Sequence, residues 1–219
     1  MNLKKELPLL TIVLLPFVYL AYIWQSLPEK IPMHWNVNGA VTRYGEKIEL
    51  IIIPVLLPLF TYVVFLLIPK IDPKNNLNNM GNKLKNIKFL LTTIMSIMAV
   101  YIIYKATNNT YTRINYLVFL IGVLYTVSGN YLKTIKSNYF IGIKTPWTLE
   151  NKLVWKKTHK WAGQLWLVGG VIVVVASLTM QKKIGFILFL IITGVISILP
   201  VVYSYLIFKK EAKALDSCL

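Results

Sequence analysis

The sequence predicts an all-α polytopic membrane protein with six transmembrane helices. Of its 219 residues, 56% are hydrophobic and 15% are charged, whereas soluble domains carry about 25% charged residues. Six runs without a charged residue, each 16 to 25 residues long, divide the chain. Since about 20 helical residues cross a hydrocarbon core of ~30 Å, these runs leave no room for a separate soluble domain. We predict one integral membrane domain, 1–219, with spans at about 7–27, 50–69, 87–105, 114–132, 161–181 and 184–208.

The third span needs its flanking lysines, because its uncharged run, 89–104, has only 16 residues. The stems of Lys88 and Lys105 lengthen this span if their ammonium groups reach the lipid headgroups. Prolines inside other runs, such as Pro54 and Pro58, predict kinks rather than breaks, because neighbouring helices accommodate them. Glycines, which let membrane helices approach closely, mark the predicted contacts between spans: Gly122, Gly129, Gly163, Gly169, Gly170 and Gly194.

Basic residues predict the orientation of the chain. Lys and Arg number 24 against 8 acidic residues, which gives a net charge of +16. Of these 24, 17 lie in the N-terminal segment, the 70–88 and 133–160 loops and the C-terminal tail, and 7 lie in the other loops. Because cytoplasmic loops retain excess Lys and Arg, we predict a multi-pass protein of the cytoplasmic membrane with both termini inside and the 29–49 loop outside. Topology and attraction to anionic lipids then explain the charge, and no nucleic-acid partner is expected.

The sequence offers little for metal, nucleophilic or ion-coupled chemistry. A zinc site normally needs three or four ligands, but the chain has two histidines and one cysteine, and the predicted topology separates His34 from His159. The centres of the runs carry no Asp, Glu, Lys, Arg or His, whereas proton relays and ion-coupled transporters normally need one. We therefore expect no catalytic residue, no metal and no cofactor, and a passive pore stays open as an alternative.

The loop predicted to face outside contains a turn bordered by polar and aromatic residues. Pro32 and the proline four residues before it disfavour helix, and Asn38-Gly39 is a strong tight-turn signal. The segment His34-Trp35-Asn36 precedes this turn and is placed to present a small recognition surface to an extracellular peptide. The alternative is an interfacial hairpin in which His34 hydrogen-bonds to backbone. The candidate binding residues on this side are Pro32, His34, Trp35, Asn36 and Gly39.

The long inner loop predicts an amphipathic helix. Thr145 followed by Pro146 is typical of an N-cap with proline at the first helical position. Trp147, Val154 and Trp161 then recur every seven residues, which puts them on one face. We predict a basic, aromatic helix that lies at the inner headgroup level and continues into the fifth span. The alternative to a partner-binding helix is a membrane-surface helix with no partner.

Trp155 and His159 lie four residues apart on that predicted helix, so their rings are predicted to stack. A basic, aromatic pocket at the inner surface also suits a phosphate-bearing ligand. An alternative function is therefore a membrane enzyme or binding protein for lipid or cell-envelope headgroups, with His159, Asn138, Lys144 and Trp147 as its site. A small permease is a further alternative.

Two motifs resemble those of a known family, and together with the six predicted spans the resemblance covers nearly the whole chain. The outer motif runs from Leu27-Pro28 to Gly39. The inner motif consists of Gly129-Asn130, Lys136, Asn138-Tyr139, Gly142-Ile143-Lys144-Thr145-Pro146-Trp147-Thr148-Leu149, Trp155, Thr158-His159 and Gly163. The inner motif resembles the signature of the SdpI family of bacterial membrane proteins, and the outer motif is similar to the uncharacterised N-terminal domain that its members carry.

This resemblance implies an immunity and signalling protein without enzymatic activity. The outer loop would meet a secreted peptide toxin, and the inner motif would recruit a cytoplasmic transcriptional repressor to the membrane. Lys144 stands where the family usually has Arg, which keeps the charge but loses the bidentate geometry of a guanidinium. The implied partner-binding residues on the inner side are Asn130, Asn138, Lys144, Thr145, Pro146, Trp147, Trp155, Thr158 and His159.

Overall fold

The computed structural model describes residues 3–36, 40–108 and 115–216. Five helices in these ranges are long and apolar enough to cross a membrane, and Tyr116–Leu132 is a shorter apolar helix. The predicted fold class, an all-α polytopic membrane protein, is confirmed. The helices are α1 (Leu3–Ile23), α2 (Lys47–Ile71), α3 (Asn82–Thr107), α4 (Tyr116–Leu132), α5 (Pro146–Glu150), α6 (Lys152–Thr179) and α7 (Lys182–Asp216).

Helix α2 changes its winding where prolines interrupt its hydrogen bonds. It opens with a 3₁₀ turn at Lys47–Ile51, passes through a π turn at Val55–Leu59 and ends as a regular α-helix at Phe60–Ile71. Pro54 and Pro58 have no amide hydrogen to donate, so the wider π turn lets the chain continue past them. As the sequence predicts, these prolines modify the helix without ending it.

Between α1 and α2 the chain forms a two-stranded antiparallel hairpin. Strand β1 (Lys30–Trp35) pairs with β2 (Val41–Glu46), and Lys30 lies opposite Glu46 at the base of the hairpin. The pairing is irregular around His34. The predicted tight turn at Asn38-Gly39 lies outside the described residues. The hairpin adds a small β element that the all-α expectation did not include.

Helices α4 and α6 cross closely at two glycine pairs. A Cβ atom on Gly163 would lie 2.7 Å from the carbonyl oxygen of Gly129, and one on Gly170 would lie 2.7 Å from the carbonyl oxygen of Gly122. Gly122 and Gly129 are seven residues apart on α4, as are Gly163 and Gly170 on α6, so each helix carries its two glycines on one face. These predicted contacts are confirmed. The prediction was wrong for Gly194, where a Cβ would meet none of the described residues within 4 Å.

Two apolar clusters mark the opposite ends of the bundle. The first joins the hairpin to the last turns of α1 and α3 and contains Leu20, Ile31 and Ile103. The second joins the start of α3 to the end of α4 and contains Ile87 and Leu132. Ile87 and Ile103 are 16 residues apart on α3, which is ~24 Å of helix. We call the first the hairpin end and the second, which carries residues 133–145, the loop end.

The prediction that Lys88 extends towards the headgroups was wrong. Its ammonium lies 2.7 Å from both carboxylate oxygens of Glu6 on α1, and both side chains are largely buried. The same ammonium lies 5.5 Å from the centre of the Tyr62 ring. A buried charge needs a partner because desolvation is expensive. Lys88 is therefore held inside the bundle near the loop end. Helix α3 has 26 residues and does not need the Lys88 stem to extend it.

Candidate functional site

The hairpin presents two of the predicted binding residues to the surface. His34 and Asn36 are exposed, whereas Pro32 and Trp35 are half-buried. The His34 Nδ1 lies 2.5 Å from the Thr42 hydroxyl across the hairpin, which fixes the direction of the imidazole. The Asn36 Oδ1 accepts from the Ala40 amide at 3.0 Å. Gly39, also predicted for this site, lies outside the described residues.

Ion pairs fix the base of the hairpin to the start of α2. The Arg43 guanidinium donates to Glu49 at 3.0 Å, and the other Glu49 oxygen accepts from the Glu46 amide at 3.0 Å. A Cβ on Gly45 would displace this Glu49 carboxylate, so glycine at this position lets Glu49 keep both contacts. Sequence analysis did not identify Arg43 and Glu49 as a pair. The hairpin is thus a rigid support for His34 and Asn36.

At the loop end, Asn138 organises residues 133–145. Its amide nitrogen donates to the carbonyl oxygens of Lys136 at 2.8 Å and Ile141 at 3.0 Å. Its Oδ1 accepts from the amides of Phe140 at 2.8 Å and Ile141 at 2.7 Å. These bonds use both donors and both lone pairs of the side chain, which is fully buried. Asn138 therefore shapes this loop from within.

His159 and Trp155 hold the same loop against α6. Their rings stack with centroids 3.9 Å apart, which confirms the predicted stacking. The His159 Nε2 accepts from the Ile143 amide at 2.9 Å, and its Nδ1 donates to the Trp155 carbonyl oxygen at 2.9 Å. This pattern requires the uncharged ring with its proton on Nδ1. The Trp155 indole in turn donates to the Ile135 carbonyl oxygen at 2.8 Å.

The predicted N-cap at Thr145 is confirmed, but the helix after it is shorter than predicted. The Thr145 hydroxyl accepts from the Thr148 amide at 3.3 Å, and the buried Thr148 hydroxyl accepts from the Thr145 amide at 2.9 Å. Helix α5 ends at Glu150 because Asn151 is extended, with φ −113° and ψ 111°. The Asn151 side chain then caps α6. One continuous amphipathic helix into the fifth span was therefore a wrong prediction.

The apolar face of this segment packs against α7. The Trp147 indole donates to the Ser204 hydroxyl at 2.8 Å, and its ring lies 5.3 Å from Tyr205. The Trp161 ring stacks on Tyr203 at 4.5 Å. Trp147 and Trp161 are thus engaged by protein, which corrects the expectation that their face lies on the membrane surface. The sequence did not identify Tyr203, Ser204 and Tyr205 of α7, because no local pattern links them to the inner motif.

The 70–81 loop supports the 133–145 loop from the other side. The Lys74 ammonium donates to the Leu149 carbonyl oxygen at 2.5 Å and to the Ser137 hydroxyl at 3.1 Å. The Asn76 side-chain Nδ2 donates to the Ser137 carbonyl oxygen at 2.7 Å. These three contacts were also missed, because they join segments more than 60 residues apart.

The remaining predicted residues divide into buried and exposed groups. Thr158 is fully buried, and its hydroxyl has no hydrogen-bond partner among the described residues. Asn130, Lys144 and Pro146 are exposed, and the Lys144 ammonium donates to the Phe140 carbonyl oxygen at 3.2 Å. The loop end also carries further exposed lysines: Lys133, Lys136, Lys152, Lys156 and Lys160.

Comparison with known proteins connects this geometry to a family. The sequence model of the SdpI/YfhL protein family matches residues 134–204, which run from the 133–145 loop through α5 and α6 into α7. The predicted resemblance is therefore confirmed, and the matched residues include both partners of the Trp147–Ser204 contact. A domain of unknown function, DUF1648, matches residues 11–57, which contain the hairpin.

A relative of known name is similar over most of the chain. The protein named "Immunity protein SdpI" from Bacillus subtilis (strain 168) is 27% identical over 175 residues, which are 80% of this chain and 82% of that protein. No solved structure matches the chain significantly. With its apolar helices, the chain is an integral membrane protein, and its residues 134–204 are similar to the SdpI/YfhL family.

Proposed function

We propose that this protein is a membrane immunity protein that protects its cell against a secreted peptide toxin. The observation that carries the proposal is the similarity to Immunity protein SdpI over 80% of the chain. The two motifs behind the resemblance lie at opposite ends of the bundle, which suits a protein that meets one partner on each side of the membrane.

The distribution of basic residues supports an orientation with the hairpin outside. The loop end holds the 70–88 and 133–160 loops, which are rich in lysine, and cytoplasmic loops retain such excess. In this orientation the hairpin meets the toxin through the exposed side chains of His34 and Asn36. The 133–145 loop then faces the cytoplasm.

At the loop end, the buried and exposed residues have different proposed roles. Asn138 and His159 fix the backbone of the loop, and the exposed Lys144 contacts the partner. A surface rich in exposed lysines favours an anionic partner, either an acidic face of a transcriptional repressor or anionic lipid headgroups. The enzyme alternative gains no support, because both nitrogens of His159 are hydrogen-bonded and its ring is buried.

Cysteine accessibility tests the orientation. In a Cys218→Ser background, we expect Tyr44→Cys in intact cells to react with a membrane-impermeant maleimide, since Tyr44 is 59% exposed on the hairpin. Lys136→Cys, on the exposed part of the 133–145 loop, should react only after the membrane is permeabilised. Equal reaction of both variants in intact cells would contradict the proposed orientation.

Survival assays test the immunity function. A sensitive bacterial strain that expresses the protein should tolerate higher doses of one or more peptides from a panel of secreted membrane-active peptides, with Bacillus subtilis SdpI as the reference. We expect His34→Ala to lower the protective effect about fivefold, which corresponds to one hydrogen bond of ~1 kcal/mol. Lys183→Ala is the control, because Lys183 is exposed at the hairpin end but lies outside the hairpin.

Two outcomes of the survival assay would count against the proposal. If SdpI protects against its peptide and this protein protects against none in the panel, the immunity function is wrong. If this protein protects but His34→Ala and Lys183→Ala behave alike, the hairpin is not the contact surface.

A further inference from the structure

A cleft of about 560 Å³ lies between α1 and α3. Ile12, Leu15 and Tyr19 form one wall, and Ile97, Val100 and Tyr104 are on the other. Leu15 and Ile97 are about half exposed, so the cleft opens sideways between two helices that are long and apolar enough to cross a membrane. Its contents would therefore come from within the bilayer.

The two aliphatic hydroxyl groups in the cleft wall are already hydrogen-bonded. The Ser96 hydroxyl donates to the Ile12 carbonyl oxygen at 2.7 Å, and the Thr93 hydroxyl donates to the Phe89 carbonyl oxygen at 2.8 Å. None of the nine lining side chains is charged. A ligand in this cleft gains dispersion contacts and has few groups with which to exchange hydrogen bonds, so the cleft suits hydrocarbon.

The dimensions of the cleft determine whether it can hold a transmembrane helix or a single hydrocarbon chain. Its lining on α3 runs from Thr93 to Tyr104, twelve residues or ~16 Å of helix. A helix 10–12 Å in diameter would fill roughly 1,300–1,800 Å³ over that length, which exceeds even the about 990 Å³ of empty space in and around the cleft. The length also matches half of a ~30 Å hydrocarbon core, which is the depth of one leaflet.

The two ends of the cleft differ. At the hairpin end it is bordered by Tyr19, Tyr101 and Tyr104, the kind of side chain that is enriched at the membrane–water interface. Towards the loop end, beyond Thr93, the Glu6–Lys88 ion pair closes the gap between α1 and α3. The cleft is thus open at the depth of one leaflet and closed beyond it.

We propose that this cleft binds one acyl chain of a phospholipid from the leaflet at the hairpin end. The headgroup would lie at the level of the three tyrosines, and the chain would follow α3 towards Thr93. The proposal does not depend on the immunity function, since it rests on the shape and chemistry of the cleft alone.

Photo-crosslinking tests this site. The full chain would be reconstituted in vesicles that contain a phosphatidylglycerol with a diazirine in one palmitoyl chain, and cross-linked residues would be mapped by mass spectrometry. We expect cross-links to concentrate on the walls of the cleft, and Val100→Phe to lower them about tenfold, equivalent to ~1.4 kcal/mol. Leu15→Phe fills the cleft from the other wall and should have the same effect.

Leu190→Phe is the matched control for these variants. Leu190 is 52% exposed on α7, at about the same distance from the hairpin end as Val100, and does not line the cleft. Cross-linking in the cleft should therefore be unchanged by Leu190→Phe. Even labelling of all lipid-facing helices, or labelling that neither cleft-filling variant lowers, would overturn the proposal. Cross-links between two copies of the chain through the cleft would also overturn it.

Discussion

Gly129→Ala is expected to destabilise the protein by about 3 kcal/mol, at the upper end of what overpacking of a tight contact costs. A Cβ at this position would lie 2.8 Å from the Gly163 carbonyl oxygen and still closer to the Leu167 amide nitrogen. Both atoms belong to the backbone of α6, so no side chain can rotate away. The two helices must separate, and dispersion contacts along α4 and α6 are then lost.

Gly194→Ala is the matched control for this experiment. Gly194 also lies within an apolar helix, but a Cβ there meets nothing within 4 Å. Alanine should therefore stabilise α7 by roughly 0.5–1 kcal/mol through its better helix propensity. Unfolding of both variants and the parent in detergent micelles measures the difference. If Gly129→Ala and Gly194→Ala unfold alike, the close crossing of α4 and α6 is wrong.

Gly142→Ala is expected to open the 133–145 loop, at a cost of about 3 kcal/mol. Gly142 has φ +118°, which a residue with a Cβ rarely adopts, and the added atom would overlap His159 Nε2 and lie 3.2 Å from the Trp155 ring. The backbone must then shift, and the bond from the Ile143 amide to His159 is lost. Two buried polar groups would be left without partners.

The Gly81→Ala variant separates the cost of a positive φ from the cost of the steric contact with His159. Gly81 also has positive φ, +55°, but a Cβ there has no neighbour within 4 Å in the part of the chain that the structure describes, so only the conformational cost of roughly 1–2 kcal/mol applies. Hydrogen exchange of the Ile143 amide should increase strongly in Gly142→Ala and stay near the parent value in Gly81→Ala. Unchanged protection of this amide in Gly142→Ala contradicts the proposed role of His159.

Sequence reasoning succeeded where the signal is local. Length and the absence of charge predict apolar helices, because a hydrocarbon core imposes both on a spanning segment. The N-cap at Thr145 and the stacking of Trp155 on His159 follow from spacings of one helical turn or less. Glycine contacts at Gly122, Gly129, Gly163 and Gly170 could also be predicted by residue type, although not which glycines would pair.

The sequence could not predict contacts between distant segments. Trp147 and Ser204 are 57 residues apart, and Glu6 and Lys88 are 82 apart, so no periodicity relates them. The break at Asn151 was missed for a different reason. An asparagine inside a helical pattern can be a weak helix residue or the N-cap of a new helix. Asn151 is the N-cap of α6, and in this arrangement Trp147 on the preceding helix packs against α7.

The length of α7 has a consequence for exchanging segments between relatives. At 35 residues it measures ~52 Å, whereas a hydrocarbon core is ~30 Å thick. The excess provides Tyr205 and Glu211, which contact Trp147 and Lys157 beside the 133–145 loop. A chimera that receives only the 133–145 loop from a relative would therefore combine that loop with the original C-terminal part of α7. The partner specificity of the relative should be transferred only when the loop and this part of α7 are exchanged together.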